Sequence, residues 1–450
     1  MKYFGTDGIR GTYGELCVSE PFFKALGMGV GELLKKEKNG KIVVGGDTRA
    51  SSDFLKTAFF SGLEKSGADF EDLGVLPTPA LAYAVIKRNA GMGAMITASH
   101  NPYADNGIKF FDSQARKIED ATQESLEKLV EKFLDYSAIE SYSPKKISPR
   151  KICGGDFALN EYVAKMSSIF PEGFLKGVKI AIDMANGATS GVSSKVFSNY
   201  GAEVFECAAN PDGYNINDGV GSQFSGNLAE FCRKVGADVG FAHDGDGDRV
   251  VVCDENSSIL EGEEVMALIA MDAKERGILA SNAIVTTFQS NIGMDESLKS
   301  EGIDVFRCGI GDRLVMREML SRNCLIGGEN SGHFIFLDIS PCGDGLAAAL
   351  SVLSVMRAKG KKLSELRGGV KMYPSMSEAI RVARKTPLEE TLHLSSAMER
   401  CGKILGREGR LLVRYSGTEK KIRLLVEGKD ASKVGDCMKI LKDAVEIDLQ

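Results

Sequence analysis

Three segments of the chain follow one plan, and that plan constrains the fold more than any other feature. They are "KIVVGGDTRASSDFLKTAFFSGLEKSG" from Lys41, "VKIAIDMANGATSGVSSKVFSNYG" from Val178 and "NAIVTTFQSNIGMDESLKSEG" from Asn282. Each opens on a β-branched apolar run, passes through Gly, Asp, Asn or Ser, and continues with helical periodicity. Strand, turn and helix in tandem predict α/β units built on sheets with parallel strands. No strict residue repeat links the three. A chain of 450 residues is too long for one ordinary core, and length alone suggests about two to four domains.

Between the first two segments, "DYSAIESYSPKKISPRK" from Asp135 loses periodicity and gathers prolines and basic residues, as a connecting loop does. Later, "RLLVRYSGTEKKIRLLVEG" from Arg410 reads as strand, polar turn and strand, and "ASKVGDCMKILKDAVEI" reads as an amphipathic helix. The expected fold class is therefore α/β: three tandem related units with mixed sheets over residues 1–150, 151–253 and 254–368, then a smaller α+β domain over 369–450.

Bulk charge removes several functions. With 56 basic and 62 acidic residues the formal net charge is −6, so no global field draws the chain to nucleic acid or to an anionic membrane. Any anionic ligand must be held by local charge. Ten cysteines stand singly from Cys17 to Cys437, with no CxxC pair and no Cys/His cluster at zinc spacing, which predicts reduced, mostly buried thiols. The start "MKYFGTDGIRG" sets Asp7 and glycines where a signal peptide needs an apolar core, and "GLAAALSVLSVM" from Gly345 is too short to span a bilayer. A cytoplasmic protein without nucleic-acid or membrane partners is expected.

Four motifs carry chemistry. In "FAHDGDGDRVVVCDE" from Phe241, Asp244, Asp246 and Asp248 alternate with glycines. Carboxylates so close repel one another, and a hard divalent cation is the natural compensation. Asp244, Asp246, Asp248 and Glu255 also match the first, third, fifth and twelfth positions of an EF-hand loop, but Arg249 stands where that loop needs glycine and the flanks read as strands. A Mg²⁺ site is the better reading. Mg²⁺ keeps positions for water or phosphate, and Ser99, in "TASHNPYADNGIKFF" at the end of an apolar run, could supply one, since a phosphoserine carries about −1.5 to −2 charge. Taken alone Ser99 reads more readily as a turn or N-cap serine, and the "HNP" and "DNGIKFF" around it favour the other use. In "RYSGTEKKIR", Ser416, Gly417 and Thr418 form a turn able to cradle an anion between Arg414 and Arg423, or else an ordinary hairpin. In "LIGGENSGHFIF", Glu329, Ser331 and His333 alternate, so an extended chain would turn all three to one side, towards sugar hydroxyls or into a buried polar network.

Five stretches in order, "FGTDGIRG" at Phe4, "TASHNPYADNGIKFF" at Thr97, "DGDGDR" at Asp244, "GGENSGH" at Gly327 and "RYSGTE" at Arg414, resemble the α-D-phosphohexomutase superfamily nearly end to end. Within it the chain looks most like the bacterial branch that acts on glucosamine phosphate. The resemblance implies four domains around a central cleft, the last of them a mobile phosphate-binding domain. It implies that Ser99 is a phosphoserine, that Ser99, Asp244, Asp246 and Asp248 hold one Mg²⁺, and that a small phosphosugar is isomerised through a sugar 1,6-bisphosphate, which also serves as activator. Lys109 matches a position for general acid/base work or charge stabilisation; Arg10 and Arg249 match cations near the transferred phosphoryl, and His100 supports the serine loop. Glu329 and Ser331 match the hydroxyl-reading pair with His333 beside them, and Arg414, Ser416, Gly417, Thr418 and Arg423 match the clamp on the non-reacting phosphate. A homodimer is left open.

The sequence departs from that branch at Asn330, where glutamine is usual, at His243, where phenylalanine is common, and at Tyr415, Lys420 and Lys421 in the clamp. No ligand or catalytic side chain is lost. Asn330 leaves the glucose- and mannose-phosphate branches as alternatives, whereas "SGTE" favours the amino-sugar branch. Two other classes make distinct predictions: a metal-dependent phosphatase would release inorganic phosphate, and a Ca²⁺-binding or sugar-phosphate-sensing protein would bind without turnover.

Overall fold

The structure, a computed structural model, describes residues 1–37, 39–145, 156–416 and 420–450. Its first sheet holds β1 (Ile9–Thr12), β2 (Lys41–Gly46), β3 (Asp69–Val75), β4 (Met92–Ile96) and β5 (Asp105–Asp112) in the order β1-β5-β4-β2-β3. The second holds β6 (Lys179–Asp183), β7 (Glu203–Cys207), β8 (Val239–His243), β9 (Val250–Asp254) and β10 (Ile259–Leu260) in the order β10-β9-β8-β6-β7. The third holds β11 (Ala283–Thr287), β12 (Asp304–Cys308), β13 (Ile326–Gly328) and β14 (Phe334–Phe336) in the order β12-β11-β13-β14.

One topology underlies all three. A first strand pairs in parallel with the second and third, and the third pairs antiparallel with a fourth: β2 with β3 and β4, then β4 with β5; β6 with β7 and β8, then β8 with β9; β11 with β12 and β13, then β13 with β14. β1 and β10 add antiparallel edges to the first two sheets. The second sheet thus runs to Leu260, past the division at residue 253 drawn from the sequence. The three α/β units with mixed sheets are those the strand–turn–helix segments predict.

Alternation along the strands explains how the units pack. Successive side chains leave opposite faces of a sheet. Val43, Met95 and Phe111 enter a core common to the three units, while Ile42, Val44, Ile96 and Phe110 enter a core private to the first. Likewise Ile180, Ile182 and Phe241 face the common core and Ala181 and Ala242 a private one; Ile284, Phe334 and Phe336 face the common core and Val285 and Ile335 another. Each sheet is buried on both faces, which is why its central strands read as unbroken apolar runs. One continuous apolar interior ties the three units into a single body.

The last domain is built differently. β15 (Ser375–Arg381), β16 (Gly409–Tyr415) and β17 (Lys421–Gly428) form an antiparallel sheet in the order β15-β17-β16. The amphipathic helices Leu392–Leu405 and Ala431–Leu449 cover one face, closing a core of Ile422, Leu424, Val426, Leu394, Leu441 and their neighbours that shares no member with the common one. In the connection between the first two units, Tyr136–Glu140 forms a short helix where the sequence suggested only loop, because the Asp135 carboxylate accepts from the backbone N–H groups of Ser137 (3.1 Å) and Ala138 (3.2 Å). Residues 146–155 of that connection lie outside the described residues. No helix among the described residues is long and apolar enough to cross a membrane.

Candidate active site

The turn between the third and fourth strands is the same topological position in each unit, and each such turn carries a motif. Ser99 lies between β4 and β5, the three aspartates between β8 and β9, and Glu329 to His333 between β13 and β14. All follow the C-terminal end of a parallel strand, where open α/β sheets present their loops. They meet beside a cleft of about 290 Å³ to which every domain contributes: Asp7, Arg10, His100 and Lys117 from the first, Asp248 and Arg249 from the second, Asp312, Glu329 and His333 from the third, Arg414, Ser416 and Arg423 from the last.

Ser99 is fully buried, and its Oγ donates to Asp244 Oδ2 at 2.6 Å. Its backbone takes φ 52°, a left-handed conformation that costs a serine about 1–3 kcal/mol unless its surroundings impose it. Asp244, Asp246 and Asp248 are buried, and one oxygen from each lies within 4.8 Å of the other two. Among the described residues, Oδ1 of Asp246 and Oδ1 of Asp248 have no hydrogen-bond partner, the nearest approach to the latter being His333 Nδ1 at 3.6 Å. Buried carboxylate oxygens left unpaired are costly, and these suit a hard divalent cation with oxygen ligands. Strands flank the loop on both sides, and Glu255 accepts from the Ser364 backbone at 3.3 Å, so the EF-hand alternative is excluded.

Lys109, almost wholly buried, donates to Asp246 Oδ2 at 2.9 Å and to Asp248 Oδ2 at 2.7 Å. Burial opposes its charge, but these carboxylates keep its pKa well above the usual value. Burial, and then the charges of Asp248 and Asp246, push the Asp244 carboxyl above its ordinary range; Asp248 is buried too, yet Lys109 holds it below. His100 is half-buried, and its Nδ1 has no hydrogen-bond partner among the described residues. Burial, reinforced by the Arg249 and Arg10 cations, lowers its pKa to about 4, so the ring is neutral at physiological pH. Arg10 reaches the site because β1 lies along β5, which sets Arg10 opposite Gly107.

A network that the sequence reading missed spans the cleft. Asp7 pairs with Arg10 and Lys117; Lys117 Nζ also lies 2.7 Å from Asp312 Oδ2, and His333 lies 3.4 Å from Asp312 and 3.6 Å from Asp248. Burial works against a charge on His333, but Asp248 and Asp312 push its pKa up to about 10. Glu329 Oε1 accepts from the Gly311 backbone at 2.9 Å, tying the turn between β13 and β14 to the Gly309–Asp312 loop. The alternation proposed for Glu329, Ser331 and His333 fails. The stretch is a tight turn, with Glu329 N–H donating to His333 O at 2.9 Å and Gly332 at φ 87°, so Glu329 and His333 line the cleft while Ser331 sits exposed at the tip, outside the lining.

At the far domain, Arg414 and Arg423 stand directly opposite each other on β16 and β17. Like charges in that register destabilise a sheet. Burial, and then Arg423, lower the Arg414 pKa, and Arg414 Nε has no partner among the described residues, so an anion between the two would satisfy both. Ser416 is buried beside them and its carbonyl accepts from Lys385 Nζ at 2.6 Å. Gly417 and Thr418, the other clamp residues expected from sequence, lie outside the described residues.

Comparison with known proteins agrees with this assembly. The phosphoglucomutase/phosphomannomutase alpha/beta/alpha domains I, II and III match residues 1–136, 160–258 and 261–373, and the C-terminal domain matches 378–444. The chain belongs to the phosphoglucomutase/phosphomannomutase family. A phosphoglucosamine mutase of Carboxydothermus hydrogenoformans is 41% identical to this family member over 435 residues, 96% of each chain. A phosphoglucomutase/phosphomannomutase family protein of Burkholderia thailandensis shares the fold with TM-score 0.80 at 21% identity, over 98% of this chain and 97% of its own. An Aspergillus fumigatus N-acetylphosphoglucosamine mutase, solved in complex with GlcNAc-6P and magnesium, shares the fold with TM-score 0.65 at 17% identity, over 100% of this chain and 96% of its own. The four phosphohexomutase domains are thus the ones whose loops line the cleft.

Proposed function

We propose that this phosphohexomutase interconverts glucosamine 6-phosphate and glucosamine 1-phosphate by passing a phosphoryl group between Ser99 and the sugar. The observation that carries the proposal is the Ser99 hydroxyl at 2.6 Å from Asp244, within a buried three-aspartate cluster and beside a cleft walled on its far side by a cationic sheet. Identity of 41% to a phosphoglucosamine mutase supports the amino-sugar substrate. A cytoplasmic place in the synthesis of amino-sugar precursors of the cell wall goes with this reading.

Transfer begins with phosphorylated Ser99. A sugar hydroxyl attacks phosphorus, its new O–P bond forming as the P–Oγ bond breaks, and the resulting 1,6-bisphosphate later returns its other phosphoryl to Ser99 Oγ, with no net phosphate used. Each transfer moves a proton off the attacking hydroxyl and one onto the departing oxygen. His100, neutral and lining the cleft with Nδ1 unpartnered among the described residues, is placed to exchange it. Lys109 is fixed as an ammonium between Asp246 and Asp248, so of the two roles expected for it charge stabilisation is the better supported. Arg10 and Arg249 offer cations to the moving phosphoryl, Glu329 an acceptor for sugar hydroxyls, and Arg414, Ser416 and Arg423 a seat for the phosphate that stays.

The carboxylates of Asp244, Asp246 and Asp248, with the oxygen of Ser99, would hold Mg²⁺, which would neutralise and polarise the phosphoryl group. The test is a ³¹P NMR assay with Mg²⁺ and catalytic sugar 1,6-bisphosphate, offering glucosamine, glucose and mannose 6-phosphates in parallel. Fastest conversion of glucosamine 6-phosphate is expected. Faster conversion of another sugar would move the protein to a sister branch, and inorganic phosphate as the only product would make it a phosphatase.

A further inference from the structure

The turn after β2, "GDTRASS", lines no part of the cleft, yet it grips Ser99. Arg49 is buried, and all five of its N–H donors are spent. Nε bonds Asp47 Oδ2 at 2.9 Å. Nη2 donates to the carbonyls of Ser99 (2.9 Å) and Asn101 (2.8 Å), and Nη1 to those of Asp105 (2.8 Å) and Pro102. Four carbonyls of a single loop thus converge on one guanidinium.

Asp47 holds the other side of the same residue. Its carboxylate accepts from Thr97 Oγ1 at 2.7 Å, and Thr97 Oγ1 accepts from the Ser99 N–H at 2.8 Å. The ion pair therefore fixes the N–H of Ser99 through Thr97 and its carbonyl through Arg49. A third grip comes from the second unit, where Asn217 Nδ2 donates to the Ser99 carbonyl at 2.8 Å and the Asn101 carbonyl at 3.0 Å. The metal loop closes the remaining side: a Cβ on Gly245 would stand 2.6 Å from the Ser99 carbonyl. The turn is itself docked on the second unit, Thr48 Oγ1 donating to Asn186 O at 2.6 Å and Ala50 N–H to Gly213 O at 3.0 Å.

We propose that Asp47, Arg49 and Asn217 are positioning residues for phosphoryl transfer, which clamp both peptide groups of Ser99 and so impose the left-handed backbone that points its hydroxyl at the aspartate cluster. None of them lines the cleft. An arginine that served only to neutralise Asp47 would not need its fork aimed at four carbonyls, and a loop that needed only to be ordered would not need Asn217 from another unit on the carbonyl of the reacting serine. The inference rests on Ser99 being the phosphoryl carrier, and it adds that the chemical geometry is shared across the joint of the first two units.

The test compares full-length wild type with Asn217→Ala, Arg49→Lys and Ser99→Ala, measuring kcat and KM on the sugar phosphate that wild type converts fastest, the ³¹P resonance of the phosphoserine, and thermal unfolding. Misplacing the serine should lower kcat about ten- to a hundredfold in Asn217→Ala, with KM nearly unchanged and the phosphoserine resonance shifted or broadened. Arg49→Lys keeps the charge beside Asp47 but loses the fork, and should lose at least as much. Wild-type kcat in Asn217→Ala with an unmoved resonance would overturn the proposal, as would wild-type kcat in Arg49→Lys. If Arg49→Lys fails to fold, Asn217 decides alone: Asn217→Ala removes two hydrogen bonds at a residue with φ 57°, and Asn217→Gly, which takes that conformation without strain, should lose kcat to the same extent. Ser99→Ala keeps the two ideas apart: activity surviving there refutes the phosphoserine itself, whereas an inactive Ser99→Ala beside a fully active Asn217→Ala refutes only the positioning role.

Discussion

At the Ser99 end of the cleft, serine, aspartates and Lys109 are all buried and bonded to one another, on loops rooted in a core common to three units. At the Arg414 end, two cations face each other across a sheet, Arg423 is exposed, and the core beneath is the domain's own. The first arrangement holds its atoms in a buried, mutually bonded network; the second offers charge at an exposed sheet. A mutase needs that division. The reacting phosphoryl must be held in line, whereas the seat for the other phosphate must accept the bisphosphate both ways round, so interactions made in the transition state concentrate at one end and uniform binding at the other.

The comparison is sharpened by variants that separate kcat from KM. The largest effect belongs to Ser99→Ala, which should reduce turnover on the order of 10⁴-fold or more, since it removes the proposed covalent carrier. Thermal unfolding should stay cooperative, and wild-type turnover in that protein would end the phosphoserine mechanism. Next comes Asp246→Asn, which weakens one of the three converging carboxylates. Turnover should drop about 100-fold or more, with the Mg²⁺ needed for half activity raised; a variant as active without Mg²⁺ as wild type is with it would detach the cluster from the chemistry.

At the other end Arg423→Ala should act on KM. Losing a charge-assisted bond to phosphate costs about 1.5–3 kcal/mol, which is about ten- to a hundredfold in KM, with kcat changed far less. Because it also relieves the opposition of Arg414 and Arg423, it should leave unfolding stability equal or higher by about 0.2–1 kcal/mol. A loss of kcat at constant KM would break the distinction between the two ends.

How much of this was readable in the chain depends on how local each signal is. The three units were legible because a strand buried on both faces must be apolar throughout, as in "KIVVGG" and "AIVTT". The buried aspartate cluster was legible because three aspartates in one turn have few uses other than converging on a cation. Ser331 was misplaced because alternation presumes an extended chain, and Gly332 at φ 87° closes a turn instead. Asp7, Lys117 and Asp312 gave no signal: each is an ordinary charge on its own loop, and they become a network only when the first unit packs against the third. Arg49 was hidden in the same way. Its turn reads as punctuation between strand and helix, and only the folded loop shows where its five donors go.

The smallest expected effect is a change of shape. The C-terminal domain shares no core with the body and meets the third unit through hydrogen bonds such as Arg410 Nη2 to Ser290 O at 2.6 Å and Ile292 N–H to Glu427 Oε1 at 3.2 Å. Polar contacts of this kind can exchange partners with water, so the domain can turn about the joint at little cost. A phosphate between Arg414 and Arg423, carried by a sugar whose other end lies at Ser99, would draw that sheet towards the body. Small-angle scattering of the wild type should therefore show a slight fall in radius of gyration on saturation with sugar 1,6-bisphosphate, and the Arg414→Ala/Arg423→Ala double variant should show none. If the wild-type profile does not change, the clamp is preset, and the permissive end of the cleft must reach both phosphates through side-chain motion alone.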